Sequence, residues 1–383
     1  MMLSILRPVL GPLLSLFFMM MGSGLFNTFV SVKLEIAGYK PEAIGIVTSA
    51  LYVGILIGSI RIDRWISRIG HIRSFVAIAS LMAFGVFLQS LWLNLWFWAF
   101  LRIIAGICLA GVFVIIESWL LMLTPSNQRG AILSVYLGVL YAALSLGQLL
   151  IDLTDLNKAS PFYITSLFTL VSIIPVKLRK ITEPKIEETS SQLSLIQLYQ
   201  ISPLGFVGGI VSGMVLAVTY GLVPVYAKEA GMSIQEIGTF MAVLIFGGFS
   251  LQWPVGKWAD RGDRRHVIFK ISFITALVAL VIPFIQPSWF LLALIWAFGG
   301  FAFTIYPVSM AFACEKMKES EIVAVTGSFV LSYSLGAIAG PLIAPFFMDQ
   351  FGAIGVFYFL SLISFILGSI GLGVLLKNSW SNS

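Results

Sequence analysis

GYKPEAIGIVTSALYVGILIGSIRIDRWISR, residues 38–68, and GMSIQEIGTFMAVLIFGGFSLQWPVGKWADR, residues 231–261, are one segment written twice. At a shift of 193 they align without a gap, placing Gly38 on Gly231, Ile44-Gly45 on Ile237-Gly238, Gly54 on Gly247 and Arg68 on Arg261. Further matches flank them: Leu10-Gly11 falls on Leu204-Gly205 at a shift of 194, and Gly111 on Gly300 at 189. A shift of half a 383-residue chain points to a duplicated architecture. Each copy also holds an uncharged run near the ~20 residues that a helix needs to cross ~30 Å of hydrocarbon.

Outward from this pair the pattern continues. Twelve apolar runs, roughly 8–32, 43–60, 74–94, 96–122, 130–151, 161–176, 203–227, 237–256, 267–287, 288–314, 322–348 and 351–376, fill the chain. Its composition is 59% hydrophobic and 10% charged, against about a quarter charged in soluble domains. Long uniform runs without alternation mean helices rather than a β-barrel. The expected fold is therefore all-α, with twelve transmembrane helices in two pseudo-symmetric six-helix bundles. The N-terminal bundle covers 1–178 and the C-terminal bundle 201–383. A linker of 179–200 separates them, containing RKITEPKIEETSSQLS, the longest polar stretch. The following LIQLYQI reads either as a short interfacial amphipathic turn or as the start of the seventh span. Arg7 before an apolar stretch resembles a signal peptide, but the stretch is too long and has no small-residue cleavage pattern, so it reads as the first span.

The net charge of +6 is a matter of topology. With both termini placed in the cytoplasm, 18 of the 23 basic residues lie on the inner side and 4 on the outer side, leaving Arg102 within a span. Such asymmetry is the positive-inside signature and needs no nucleic acid partner. Cys108 and Cys314 fall in spans without metal or disulfide spacing. No HExxH, glycine-rich phosphate loop or nucleophile elbow occurs, so neither an enzyme nor an ATP-driven pump is indicated, and no cofactor or metal is expected. His71 and His266 read as loop residues.

The eighth span ends in GKWADRGDRR, residues 256–265, which resembles the loop signature of the major facilitator superfamily. The corresponding first-half loop, DRWISRIGHIR at 63–73, keeps Arg68, Gly70 and Arg73 but has Ser67 where the family usually has aspartate. Arg102-Ile-Ile-Ala-Gly106 is similar to the family's arginine-xxx-glycine element, and Gly336-Ala-Ile-Ala-Gly340-Pro341 stands in span eleven. Span five carries Gly147-Gln148 where the family's antiporters usually have glycine-proline. GHIR in one loop with QWPVGKWADRGDRR in the other resembles the bacterial YcaD-like branch most. The resemblance implies a bacterial inner-membrane secondary transporter, working by alternating access between two bundles, acting on a small-molecule solute and expected as a monomer. It also implies a gate motif of Arg68, Gly70, Arg73, Gly256, Asp260, Arg261, Arg264 and Arg265, with Asp260 pairing with arginine and capping neighbouring helix ends.

Two charges lie well inside a span, Arg102 and Glu117, both on span four and about 22 Å apart along a helix. An intramembrane ionisable group is costly and marks a pathway or proton site by default. Glu117 is expected to bind protons or a solute cation, walled by Phe113 and Trp119, or else to support the inner gate through Arg129 or loop arginines. Arg102 serves transport or holds carbonyls of span one. Family spans one, four, seven and ten line the cavity, which adds Asn27, Tyr220 and Tyr306. A shift of 189 makes Tyr306 the counterpart of Glu117, facing it. Tyr141, Gln148, Gln252 and Tyr333 are secondary candidates. Trp92, Trp96, Trp98, Trp289 and Trp296 read as interface anchors. The leading expectation is proton-coupled transport of a small organic solute, with efflux of amphipathic or cationic compounds favoured. The alternatives are uptake of a nutrient or metal-chelating metabolite, and a non-transporting receptor or lipid-handling protein on the same fold.

Overall fold

A computed structural model describes residues 2–125, 128–156, 158–178, 194–315, 317 and 319–381; residues 179–193 of the expected linker lie outside the described residues. Among those described, twelve helical stretches are long and apolar enough to cross a membrane. In the first half they are α1 (Met2–Ile36), α2 (Pro41–Ile69), α3 (His71–Leu91), α4 (Leu95–Leu123), α5 (Arg129–Leu149), and a sixth made of α6 (Ser160–Val171) and α7 (Ile173–Leu178). A seven-residue helix, α8 (Leu195–Ile201), precedes the second half. There the seventh stretch joins α9 (Pro203–Gly221) to α10 (Val223–Glu229), followed by α11 (Ile234–Arg261), α12 (Arg264–Val281), α13 (Trp289–Cys314), α14 (Glu319–Phe351) and α15 (Gly355–Ser381).

LIQLYQI is a helix of its own, not the start of the seventh span. Ser194 and Gln197 form a reciprocal capping box at its start. Pro203, without an N–H, then occupies the first turn of α9, where none is needed. Leu198 packs with Ala313, Val325 and Phe329, while Ile196 and Tyr199 stay exposed. The turns repeat as the sequence does. Gly38 and Gly231 both take left-handed φ, 82° and 83°, which lets the chain reverse after α1 and α10 without a β-carbon clash. Gly70 does the same at φ 91° between α2 and α3. At the matching place in the second half Asp263 instead caps α12, accepting from the Arg265 N–H at 2.9 Å.

Glycines bring helices together in membranes by letting backbones touch, and here they do so in matched pairs. A β-carbon on Gly54 of α2 would overlap the Ile103 carbonyl of α4, and one on Gly106 would overlap that of Leu51. In the second half Gly247 meets the Trp296 carbonyl and Gly299 meets that of Leu244. All four residues are related by 193. So are Gly147 against Met21 and Gly340 against Met214. The register of 193 therefore runs through span four and span ten, which corrects the shift of 189. Gly300 faces Leu251 as Ile107 faces Gly58, whereas Gly111 faces Ile78 and Ile62. Under the corrected register the counterpart of Glu117 is Met310, and that of Tyr306 is Phe113.

Two compact units result. One holds the described residues within Met1–Ala37, Ala50–Glu187 and Ser233–Ala242; the other those within Gly38–Ser49, Glu188–Met232 and Val243–Ser383. Trp92, Trp96 and Trp289 are exposed, as anchors should be. Trp98 and Trp296 are cross-braces instead: Trp98 Nε1 donates to the Trp92 carbonyl at 2.9 Å, and Trp296 Nε1 to Ser250 Oγ at 2.8 Å.

Candidate functional site

In the first unit, α4 carries both intramembrane charges and gives them separate neighbours. Arg102 is 5% exposed. Its Nη1 donates to Asn27 Oδ1 at 3.0 Å and its Nη2 to the Phe26 carbonyl at 3.4 Å, while the guanidinium lies 4.8 Å from the Phe26 ring centroid. The structure thus brings together Arg102 and Asn27 and makes them a bridge from α4 to α1. Phe26 belongs to this group and was not singled out from the sequence.

Glu117, one face further along α4, is half-buried and hydrogen-bonded by the Tyr136 hydroxyl of α5. Tyr136 replaces Arg129 as the expected partner. Its only signal in the sequence was a hydroxyl inside an apolar run, the same signal that drew attention to Tyr141. Trp119 does not wall the acid. Two residues on, it sits about 200° around the helix, fully buried against His71 and Phe75 of α3 at ring distances of 5.9 and 6.3 Å. His71 is accordingly a buried residue at the start of α3 rather than a loop residue. Phe113, four residues before Glu117, shares its face and is half-buried.

Gln148 is fully buried and has both ends of its amide engaged. It accepts from Thr28 Oγ1 at 2.6 Å and donates to the Gly24 carbonyl at 2.8 Å. Such an amide ties α5 to α1, where Gly24 and Gly147 already let the two backbones meet. Tyr141, also on α5, is half-buried.

In the second unit, Tyr306 of α13 and Tyr333 of α14 come together, ring centroids 5.1 Å apart and edge-on, with Phe329 5.3 Å from Tyr306. Tyr220 of α9 stands with Phe303 at 5.6 Å instead. Gln252 of α11 is half-buried, its Oε1 shielded and without a hydrogen-bond partner among the described residues.

The charged loop between α11 and α12 is organised around Arg264, whose side chain is 22% exposed. It reaches Asp260 Oδ1 at 3.2 Å and Glu315 Oε1 at 3.2 Å. Asp260 pairs with arginine as expected, but it is 74% exposed and the helix cap is Asp263. Asp263 also holds Arg265 at 2.7 Å, and this hydrogen bond keeps its carboxyl below the usual aspartate range. That contribution to stability is present above the ordinary aspartate range and is lost as pH falls through the depressed value. Glu315, from the end of α13, was missed because nothing in local spacing links it to residues fifty positions earlier. Arg68, Arg73 and Arg261 are exposed, and Gly256 has open space around it.

Helices of this length, duplicated at 193 residues and joined by these loops, define a class of membrane carrier. The sequence profile of the Major Facilitator Superfamily matches residues 13–204 and again residues 205–379, and the chain belongs to that family. Within it the YcaD-like branch is shown by relatives. The MFS-type transporter YcaD of Escherichia coli O6:K15:H31 (strain 536 / UPEC) is 33% identical over 367 residues, covering 94% of each chain. The YcaD protein of Shigella dysenteriae serotype 1 (strain Sd197) matches to the same extent. Among solved structures, the nucleoside transporter NupG superposes with a TM-score of 0.80 at 12% identity over 96% of this chain and 98% of that one. A bacterial homologue of the human lysosomal transporter Spinster, inward-facing and unoccupied, gives 0.72 at 12% identity over 96% and 95%. These two likenesses speak for the fold alone. The chain is a multi-pass inner-membrane transporter.

Proposed function

We propose that the protein is a proton-coupled secondary transporter that moves a small organic solute by alternating access, exporting amphipathic or cationic compounds. The observation that carries this reading is Glu117, a half-buried carboxylate in a membrane-spanning helix that, among the described residues, is hydrogen-bonded by a neutral phenol, Tyr136. An acid held by a phenol can exchange a proton or a positive solute group without first breaking an ion pair to that partner. The tyrosine pair Tyr306 and Tyr333 offers aromatic faces of the kind that hold organic cations. Arg102 with Asn27 serves as a bridge between α1 and α4 that carries movement of one helix to the other. The Arg264 pairs steady the cytoplasmic loop, with both termini on the cytoplasmic side and a monomer as the working form.

Cells overproducing the protein should tolerate tetraphenylphosphonium or ethidium at higher concentration than cells lacking it. Untargeted comparison of their metabolites reads the alternative direction: a solute depleted from the medium by overproducing cells, with no change in tolerance, would replace export by uptake.

The topology has its own test. In a background without Cys108 and Cys314, a cysteine replacing Lys40 should react with an impermeant thiol reagent added outside the cell, and one replacing Glu188 should not. Equal labelling of both would overturn the orientation.

A further inference from the structure

The two copies of the charged loop balance their charge differently. Residues 254–266 hold four cations, Lys257, Arg261, Arg264 and Arg265, with two aspartates, and Glu315 joins them from α13. Three of those cations have partners: Arg264 on Asp260 and Glu315, each at 3.2 Å, Arg265 on Asp263 at 2.7 Å, and Lys257 over the Trp253 ring at 4.8 Å. At the shift of 193 the places of the three acids are taken by Ser67, Gly70 and Met122, none of which carries a charge. Residues 61–73 keep four arginines, Arg61, Arg64, Arg68 and Arg73, against one acid, Asp63. All four arginines are exposed, and among the described residues none has an ion pair or an aromatic ring beneath it. Ser67 spends its hydroxyl on the Arg64 carbonyl at 3.0 Å, a bond within its own helix.

Three of these arginines share a face of α2 with apolar residues. At about 100° per residue, Ile57, Ile60, Arg61, Arg64, Trp65 and Arg68 fall within about 140° of arc. All six are exposed, whereas Ile62 and Ile66, which point away from that arc, are buried. The apolar span ends at Ile62. The exposed face therefore runs from isoleucines within the span, past an indole, to guanidinium groups in the two turns beyond it. A phospholipid has the same order: acyl chains suit Ile57 and Ile60, the interface suits Trp65, and a phosphate suits the arginines.

We propose that the inner end of α2 binds the headgroup of an anionic phospholipid, which supplies from the bilayer the counter-charge that Asp260, Asp263 and Glu315 supply in the second half. Topology alone asks only for basic residues on this side, and the second half meets that demand while keeping its acids. It does not ask for three acids to be missing together, nor for arginines aligned below an apolar strip. Arg61, Arg64 and Arg68 are spaced three and four residues apart, so they are neighbours along the helix and can fork onto one phosphate from the same side. A soluble phosphate would use the arginines but leave Ile57, Ile60 and Trp65 without a role, so the occupant is a lipid. In the orientation proposed above the site faces the cytoplasmic leaflet, where anionic headgroups attract clustered basic residues next to a span. The inference needs no solute, because its readout is lipid retention.

The test uses the purified full chain in a neutral detergent, offered phosphatidylglycerol or phosphatidylcholine and read by native mass spectrometry. Phosphatidylglycerol should be retained at least fivefold more strongly. Arg61→Gln with Arg64→Gln should lower its retention to the phosphatidylcholine level. Lys257→Gln with Lys270→Gln removes the same charge from the second half and should leave retention unchanged. Ser67→Asp, which restores an acid one turn from Arg64, should weaken retention several-fold. The melting temperature of the parent should rise with phosphatidylglycerol and not with inorganic phosphate at the same concentration. Equal retention of the two lipids, or equal retention of phosphatidylglycerol by the arginine variant and the parent, would reduce the arginines to a topology signal and overturn the proposal. Equal stabilisation by inorganic phosphate would make this a soluble-anion site and reject the lipid. Should the arginine variant fail to fold, Ser67→Asp decides: phosphatidylglycerol held as tightly as by the parent would overturn the account.

Discussion

Glu117→Gln should abolish gradient-driven accumulation of a lipophilic cation while leaving its exchange across the membrane largely intact. The amide matches the protonated acid in shape and charge, and its oxygen still accepts from the Tyr136 hydroxyl that holds Glu117 in place. What is lost is the choice between a neutral and a charged state at that point of α4. In a carrier that alternates between two conformations, a proton drives transport only by binding the two with different free energy. A side chain that cannot take up a proton cannot supply that difference. An imposed gradient of one pH unit amounts to about 1.4 kcal/mol and supports about tenfold accumulation at one proton per solute. The variant should fall to equal concentrations on both sides. Exchange of labelled for unlabelled tetraphenylphosphonium, which needs no gradient, should continue at a comparable rate. If both modes fail together and the purified protein melts earlier, Glu117 is a structural support for α4 and α5. Accumulation with unchanged stoichiometry would remove the proton role altogether.

A second large effect is expected in the fold. Gly106→Val and Gly299→Val should each prevent recovery of monodisperse protein, because the added β-carbon would lie inside the carbonyl of Leu51 or Leu244. Overpacking usually costs about 1–3 kcal/mol when side chains can shift. Here the obstacle is backbone on a neighbouring helix, and relief requires moving the whole of α2 or α11. Gly85→Ala is the control, since nothing lies within 4 Å of a β-carbon there. Thermal melting in detergent after size-exclusion chromatography reads the difference. If Gly106→Val melted within about two degrees of the parent, the close crossing of α2 and α4 would be absent in the membrane.

Much of this architecture is legible in the amino-acid order because membrane burial imposes a simple rule: about 20 apolar residues per crossing, and basic residues kept to one side. The 193-residue repeat is equally direct, since Gly38 and Gly231 are held by turn geometry and Gly54 and Gly247 by helix contact. Glycine identity alone misleads where glycines are abundant. Matching Gly111 to Gly300 set a register of 189 in span four, yet the two meet different neighbours and only contact geometry reveals it. The same limit applies to side-chain direction. Trp119 and Glu117 are two residues apart and look like one site in a linear reading, but they point to opposite sides of α4. Partners distant in sequence, such as Tyr136 for Glu117, Phe26 for Arg102 and Glu315 for Arg264, leave no local pattern. The interruptions at Ser172 and Leu222 are hidden too, because the apolar runs continue through both.

The most direct measurement is proton movement itself. Protein reconstituted into liposomes loaded with a pH-sensitive dye, without an imposed pH gradient and with the membrane potential clamped, should acidify or alkalinise the lumen when tetraphenylphosphonium is added outside. The signal should scale with the amount of protein and vanish in Glu117→Gln. Tetraphenylphosphonium flux that proceeds through the wild-type protein with no change in lumenal pH would contradict proton coupling at Glu117.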